Sequence, residues 1–169
     1  MHINEDHMYH GAALTQIADR QEFKAINPFA GLSARGAFRI NDDIAVYIKH
    51  STAPTKTVHK EYYFAFSDNS LKEIEHIKKL CKKVFVVLVC VEEKEICVLT
   101  LDQFEQHIKN RQDEYQSVYG KKDKQPMIIV TTPPGKSFRV YVNQAKKKGH
   151  LIGKILVSRN AFPRILFES

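Results

Sequence analysis

The chain predicts an α/β (α+β) fold in which a mixed central sheet carries flanking helices, and three observations support that expectation. Residues 84–91, VFVVLVCV, form an uninterrupted apolar run of strand length, as a strand covered on both faces requires. In residues 44–51, Ile44, Val46 and Ile48 alternate with Ala45, Tyr47 and Lys49, the period of a half-buried strand. Leu71, Ile74, Ile77 and Cys81 lie on one stripe at helical spacing, which suits a helix packed on that sheet.

The remaining elements follow in order. A first helix is expected over residues 9–26, where Leu14, Ile17, Ala18 and Ile26 recur at roughly helical spacing. Asn27-Pro28 closes it, because the residue before a proline avoids the helical region. After a loop with Gly31 and Gly36, residues 37–40 and 44–51 read as a hairpin turning at Asn41-Asp42. A polar loop leads to a third strand at 61–66, expected to pair antiparallel with 44–51. Ser70 and Glu73 have capping-box spacing ahead of the second helix, and Thr100 and Gln103 repeat it ahead of a third with the stripe Leu101, Phe104 and Ile108. The acidic turn EEKE joins the apolar run to a neighbouring strand, ICVLTL. Residues 109–125 read as a charged connector. Strands are expected at 127–131, 137–143 and 154–158, and the tail NAFPRILF is expected to pack back on the body. The core order is thus αβββαβ, followed by a strand-rich C-terminal part.

At 169 residues the chain has the size of one domain, with a core at about 9–112 and a basic part at about 126–169. A hydrophobic fraction of 43% with 27% charged residues excludes a disordered chain. Apolar runs fall short of the roughly 18 residues a membrane helix needs, and the polar N-terminus lacks a signal-peptide core. The expectation is therefore a cytoplasmic protein with no membrane partner. Cys81, Cys90 and Cys97 sit in apolar segments, and read as buried thiols in a reducing compartment rather than a disulfide or zinc framework. The net charge of +7 is uneven: residues 120–169 hold eleven Lys and Arg against two acids, and the first 119 residues are slightly acidic. Such polarity points to an anionic partner, nucleic acid first and an acidic protein second.

The αβββαβ order over residues 9–91 resembles the core of the restriction-endonuclease-like, or PD-(D/E)XK, nucleases. That resemblance implies an acid on the second strand and an acid followed two residues later by lysine on the third. The carboxylates would hold Mg²⁺ or Mn²⁺, and the lysine would help activate water. This sequence departs from the pattern. Asp42 and Asp43 start the second strand and Glu61 starts the third. In an antiparallel hairpin those starts lie on the order of 20 Å apart. Lys49 is the residue expected to face Glu61, with His50, Tyr47 and Tyr63 nearby, and Glu22 on the first helix adds a carboxylate as in some members of that family. The candidate catalytic set is therefore Lys49, Glu61 and Glu22, with Glu61 and Glu22 as metal ligands. The alternative is a simple Lys49–Glu61 ion pair between strands. The segments IAVYIKHS, YYFAFS, VFVVLVC, EICVLTL and NAFPRILF, in this order, are also similar to a family of small bacterial proteins of unassigned function. That likeness implies a stand-alone bacterial domain and carries no activity.

Other motifs carry less. PPGKS at 133–137 has Val130 where a phosphate-binding loop needs its first glycine, and a strand pattern follows it instead of a helix. His2, His7 and His10 read as scattered histidines of a fraying terminus. Cys90 and Cys97 lack a histidine at a defined spacing that would make a thiol nucleophile. The basic third offers the better binding signal. Arg139 and Tyr141 share a strand face, Lys146, Lys147 and Lys148 crowd the next loop, and Arg159 closes the last strand. Cations interleaved with a tyrosine suit phosphate contacts and base stacking. The functional expectation is a nucleic-acid-associated protein with an endonuclease-like core, acting as a metal-dependent nuclease or as a degenerate one. The competing class is a non-enzymatic protein- or ligand-binding module.

Overall fold

The structure, a computed structural model, describes residues 1–33, 35–55, 60–146 and 150–169. Among them the chain forms helix α1 (Glu5–Ala18), strands β1 (Ile26–Pro28), β2 (Ala37–Ile40), β3 (Ile44–Ser51) and β4 (Glu61–Ala65), and helix α2 (Asp68–Leu80). Strands β5 (Lys83–Cys90) and β6 (Glu95–Thr100), helix α3 (Leu101–Tyr119), and strands β7 (Met127–Thr131), β8 (Phe138–Asn143) and β9 (Leu151–Val157) follow. The fold is α/β (α+β), with one mixed and one antiparallel sheet. The first sheet has the order β1-β2-β3-β5-β6, and the second β4-β7-β8-β9. Among the described residues only the β3–β5 pair is parallel.

The apolar run becomes β5, which lies between β3 and β6 with seven of its eight residues buried. Its two faces feed two cores. Val84, Val86, Leu88 and Cys90 join Ala45 and Tyr47, the α2 residues Ile74 and Ile77, Phe104 of α3, and the inner face of the second sheet. Phe85, Val87 and Val89 join Ile44, Val46 and Ile48, the α1 residues Ala13 and Ile17, and the tail residues Ala161, Phe162 and Leu166. The tail thus packs on the body as its apolar pattern requires. Cys81, Cys90 and Cys97 are buried and free. No helix among the described residues is long and apolar enough to cross a membrane.

Several elements depart from the sequence expectations for identifiable reasons. α1 starts and ends earlier than 9–26. Asn4 and His7 cap it reciprocally, and Glu5 and Asp6 complement the helix dipole in its first turn. Beyond it, the Asn41 side chain captures the departing backbone. It accepts from the amides of Lys24 and Ala25 and donates to the Glu22 carbonyl, which leads the chain into the short extra strand β1. The cap of α2 is Ser67 rather than Ser70: its Oγ accepts from the Ser70 amide, so Glu73 is free to turn inward. The connector at 109–125 is largely helix. α3 continues to Tyr119 on four-apart pairs such as Lys109–Asp113 at 2.7 Å and Gln106–Asn110 at 2.9 Å. Gly120 ends it at φ +67°, a left-handed conformation that glycine adopts without a Cβ penalty.

The largest departure is topological. β3 pairs with β2 and β5, whereas β4 leaves that sheet and pairs with β7. The expected β3–β4 hairpin does not form. Its place beside β3 is taken by β5, whose apolar face fills the centre of the first sheet.

Candidate functional site

Because β3 and β4 belong to different sheets, Lys49 and Glu61 do not face each other across a ladder. Lys49 shares its strand face with Tyr47, and its ammonium lies 5.1 Å from the Phe66 ring centre. Burial pulls its pKa down, and the Glu73 carboxylate works in the opposite sense. Glu73 is itself buried. It accepts from Asn69 at 2.7 Å, Ser33 at 3.3 Å and Tyr47 at 3.5 Å. Sequence reasoning had assigned this acid to a cap and so missed the polar cluster beneath α2. Glu22 lies beyond the end of α1, exposed and paired with Arg20 at 2.9 Å. The set Lys49, Glu61 and Glu22 is therefore not assembled into one site.

Glu61 instead belongs to a cleft of about 890 Å³ at one end of the second sheet. The register explains its membership. Glu61 pairs with Thr131, and Thr131 with Arg139, so these three side chains form one row on the outer face. The next row is Tyr63, Ile129 and Tyr141. Ile129 is fully buried between its two tyrosine neighbours, while Tyr63 remains 36% exposed. Lys60 and His150 complete the rim, and Glu93 and Glu95 reach in from the β5–β6 turn. That turn is tied to β4 by the Glu93 amide, which donates to the Tyr62 hydroxyl at 3.2 Å.

The cleft's charges divide into satisfied and unsatisfied groups. The Tyr63 hydroxyl donates to Glu61 Oε2 at 2.6 Å. Burial first, and then this neighbour, push the Tyr63 pKa up to about 12. The Arg159 guanidinium pairs with Glu95, donates to the carbonyls of Lys136 at 2.8 Å and Pro133 at 2.9 Å, and lies 4.4 Å from the Phe138 ring centre. It acts as a brace for the β7–β8 turn, which contains the PPGKS segment. By contrast, among the described residues the Arg139 guanidinium has no hydrogen-bond or ion-pair partner, and Glu93 Oε2 and Thr132 Oγ1 are buried without one. Lys146 is exposed in the β8–β9 connection. Lys147 and Lys148 lie outside the described residues.

A second cluster joins α1 to the end of β3. Asp6, His10 and His50 each offer a donor atom, all within 4.8 Å of one another. Among the described residues it is the one group of three or more acids, histidines or cysteines spaced to hold a metal ion. Neither Glu61 nor Glu22 belongs to it. His7 is occupied in the α1 cap and His2 is exposed, so the three N-terminal histidines do not converge. The legible part of this signal was the four-residue spacing of Asp6 and His10. Their partner His50 comes from a strand forty residues away. Burial lowers the His10 pKa; Asp6 opposes this, His50 adds to it, the Arg35 backbone opposes it and Lys49 adds to it.

Compared with protein-family models, curated proteins and solved structures, the chain matches none.

Proposed function

We propose that the protein binds single-stranded nucleic acid along the outer face of the β4-β7-β8-β9 sheet. The observation that carries this reading is the adjacency of two register rows. One presents the unpartnered Arg139 guanidinium, and the other presents Tyr63 and Tyr141 about 10 Å apart across two strand spacings. Rings on an open face offer stacking platforms to any base, and cations beside them neutralise the backbone. Lys60 adds a cation to the rim of the cleft, and Lys146 is an exposed cation in the β8–β9 connection. Glu61 and Glu93 lie where carboxylates can accept hydrogen bonds from exocyclic amino groups. This reading favours binding over cleavage, because the acids, lysine and metal ligands of the nuclease expectation are spread over three places. A small polar ligand is the second reading, favoured by the buried unpaired Glu93 Oε2 and Thr132 Oγ1 in the same cleft.

The test is fluorescence anisotropy of labelled single-stranded DNA and RNA, and of a duplex, at low salt. Single strands are expected to bind more tightly than the duplex, and Tyr141→Ala is expected to weaken them by about 1–3 kcal/mol, the cost of one lost stack. Incubation with Mg²⁺ or Mn²⁺ is expected to leave the strand intact. An intact protein that binds none of these strands at low salt removes the proposal and leaves the small-ligand reading.

A further inference from the structure

We propose that Asp6, His10 and His50 form a binding site for a late first-row divalent metal ion of the zinc class, held between the first turns of α1 and the end of β3. The helix supplies two donors because residues four apart share a face, and β3 supplies the third where β2 has already ended at Ala37↔Tyr47. His10 Nε2 lies 3.8 Å from Asp6 Oδ1, and His50 Nδ1 lies 4.0 Å from the same oxygen. Those separations are too long for hydrogen bonds. They are close to the edge of a coordination tetrahedron, about 3.3 Å for bonds of roughly 2.0–2.1 Å.

The wider surroundings also have the form of a metal site. His10 is only 7% exposed, and its Nδ1 is buried without a hydrogen-bond partner. His50 turns its other nitrogen, Nε2, toward Glu5 Oε2 at 3.7 Å, and Arg35 stands 3.8 Å from the second Asp6 oxygen. Both are ion-pair separations longer than hydrogen bonds, and they set a carboxylate beside His50 and a guanidinium beside Asp6. A pocket of about 250 Å³, rimmed by Arg35, Gly36 and Lys49, opens in front of the cluster. It leaves a fourth position to water or a small anion, as in sites with three protein ligands. Two imidazoles and one carboxylate select zinc-like ions over Mg²⁺ and Ca²⁺, which prefer all-oxygen shells.

The experiment uses the tag-free full chain, stripped with chelator and titrated with Co²⁺ and then Zn²⁺. One Co²⁺ per chain is expected, with the visible absorption of a four- or five-coordinate ion, bleached when Zn²⁺ displaces it. Asp6→Asn, His50→Gln and His10→Gln are each expected to weaken Zn²⁺ binding at least tenfold by calorimetry. His2→Ala and His76→Ala are expected to leave it unchanged. His50 and Asp6 are partly exposed, so their variants should fold even if His10→Gln does not. The proposal is overturned by a parent protein that takes up neither ion at micromolar concentration. It is equally overturned by unchanged binding in Asp6→Asn and His50→Gln, or by loss of binding in His2→Ala.

Discussion

The hydrogen bond from Tyr63 to Glu61 ties a partly exposed ring to a carboxylate on the same strand face, and it can be read directly in solution. Tyr63 has its pKa raised from the ordinary 10.0 to about 12. A group with a raised folded pKa contributes stability that is complete below its unfolded pKa and disappears as pH rises through the folded one. Here that window runs from about pH 10 to about pH 12, where a phenolate would form beside the Glu61 carboxylate. Ultraviolet difference titration of the seven tyrosines should therefore end in a late step near pH 12 that Tyr63→Phe removes. A parent protein in which Tyr63→Phe removes no step above that of ordinary phenols would show that this contact is not made. The Asn41 side chain exerts comparable leverage on the fold. Three hydrogen bonds between it and residues 22–25 turn the last turns of the expected helix into a strand lead.

At the scale of elements, what was legible is what local pattern determines. The alternation in 44–51, the apolar run at 84–91, the Thr100–Gln103 capping box and the strands at 127–131 and 137–143 correspond to β3, β5, the start of α3, β7 and β8. Partner choice was not legible. Nothing local in EYYFA tells whether it pairs with the strand before it or with one more than sixty residues later, and that choice separated Lys49 from Glu61. The extent of α3 was hidden for a related reason. Its last turns carry polar residues whose pairs stabilise a helix without an apolar stripe. The α1–β3 junction gives an element-scale test. A Cβ on Gly36 would collide with the Ile48 carbonyl oxygen and stand 3.1 Å from His10 Cε1. Gly36→Ala is expected to lower the unfolding free energy by about 1–3 kcal/mol, the usual cost of overpacking. Gly11, inside α1 with open space around its Cβ position, should respond in the opposite sense, with alanine adding about 0.5–1 kcal/mol. Urea unfolding of both variants checks the pair. Equal stability in Gly36→Ala would mean that α1 and β3 do not approach as described.

Across the whole molecule, the uneven charge of the sequence becomes a division between sheets. The slightly acidic first 119 residues supply the five-stranded sheet, all three helices and β4, whereas β7, β8, β9 and their turns come from the basic third. Lys136, Arg139, Lys146 and Lys154 therefore accompany the second sheet, and the acids of α1 and α3 lie elsewhere in the chain. Binding of a single strand to this sheet, as proposed, would carry a particular salt signature. Each neutralised phosphate of a single strand releases counterions, which contributes about −0.7 to the slope of log K against log salt. Arg139→Gln removes one such contact, so its slope should be shallower than the parent's by about 0.7. Tyr141→Ala removes stacking but no charge. It should lower affinity at every salt concentration and leave the slope unchanged. Replacing Lys146, Lys147 and Lys148 together with glutamine removes three positive charges and should flatten the slope further, on grounds of charge alone. Anisotropy titrations of the parent and the three variants over a range of salt concentrations separate the two contributions. A Tyr141→Ala slope that shifts with Arg139→Gln would mean that the ring only positions the guanidinium. Slopes identical in all four proteins would place the strand away from this sheet altogether.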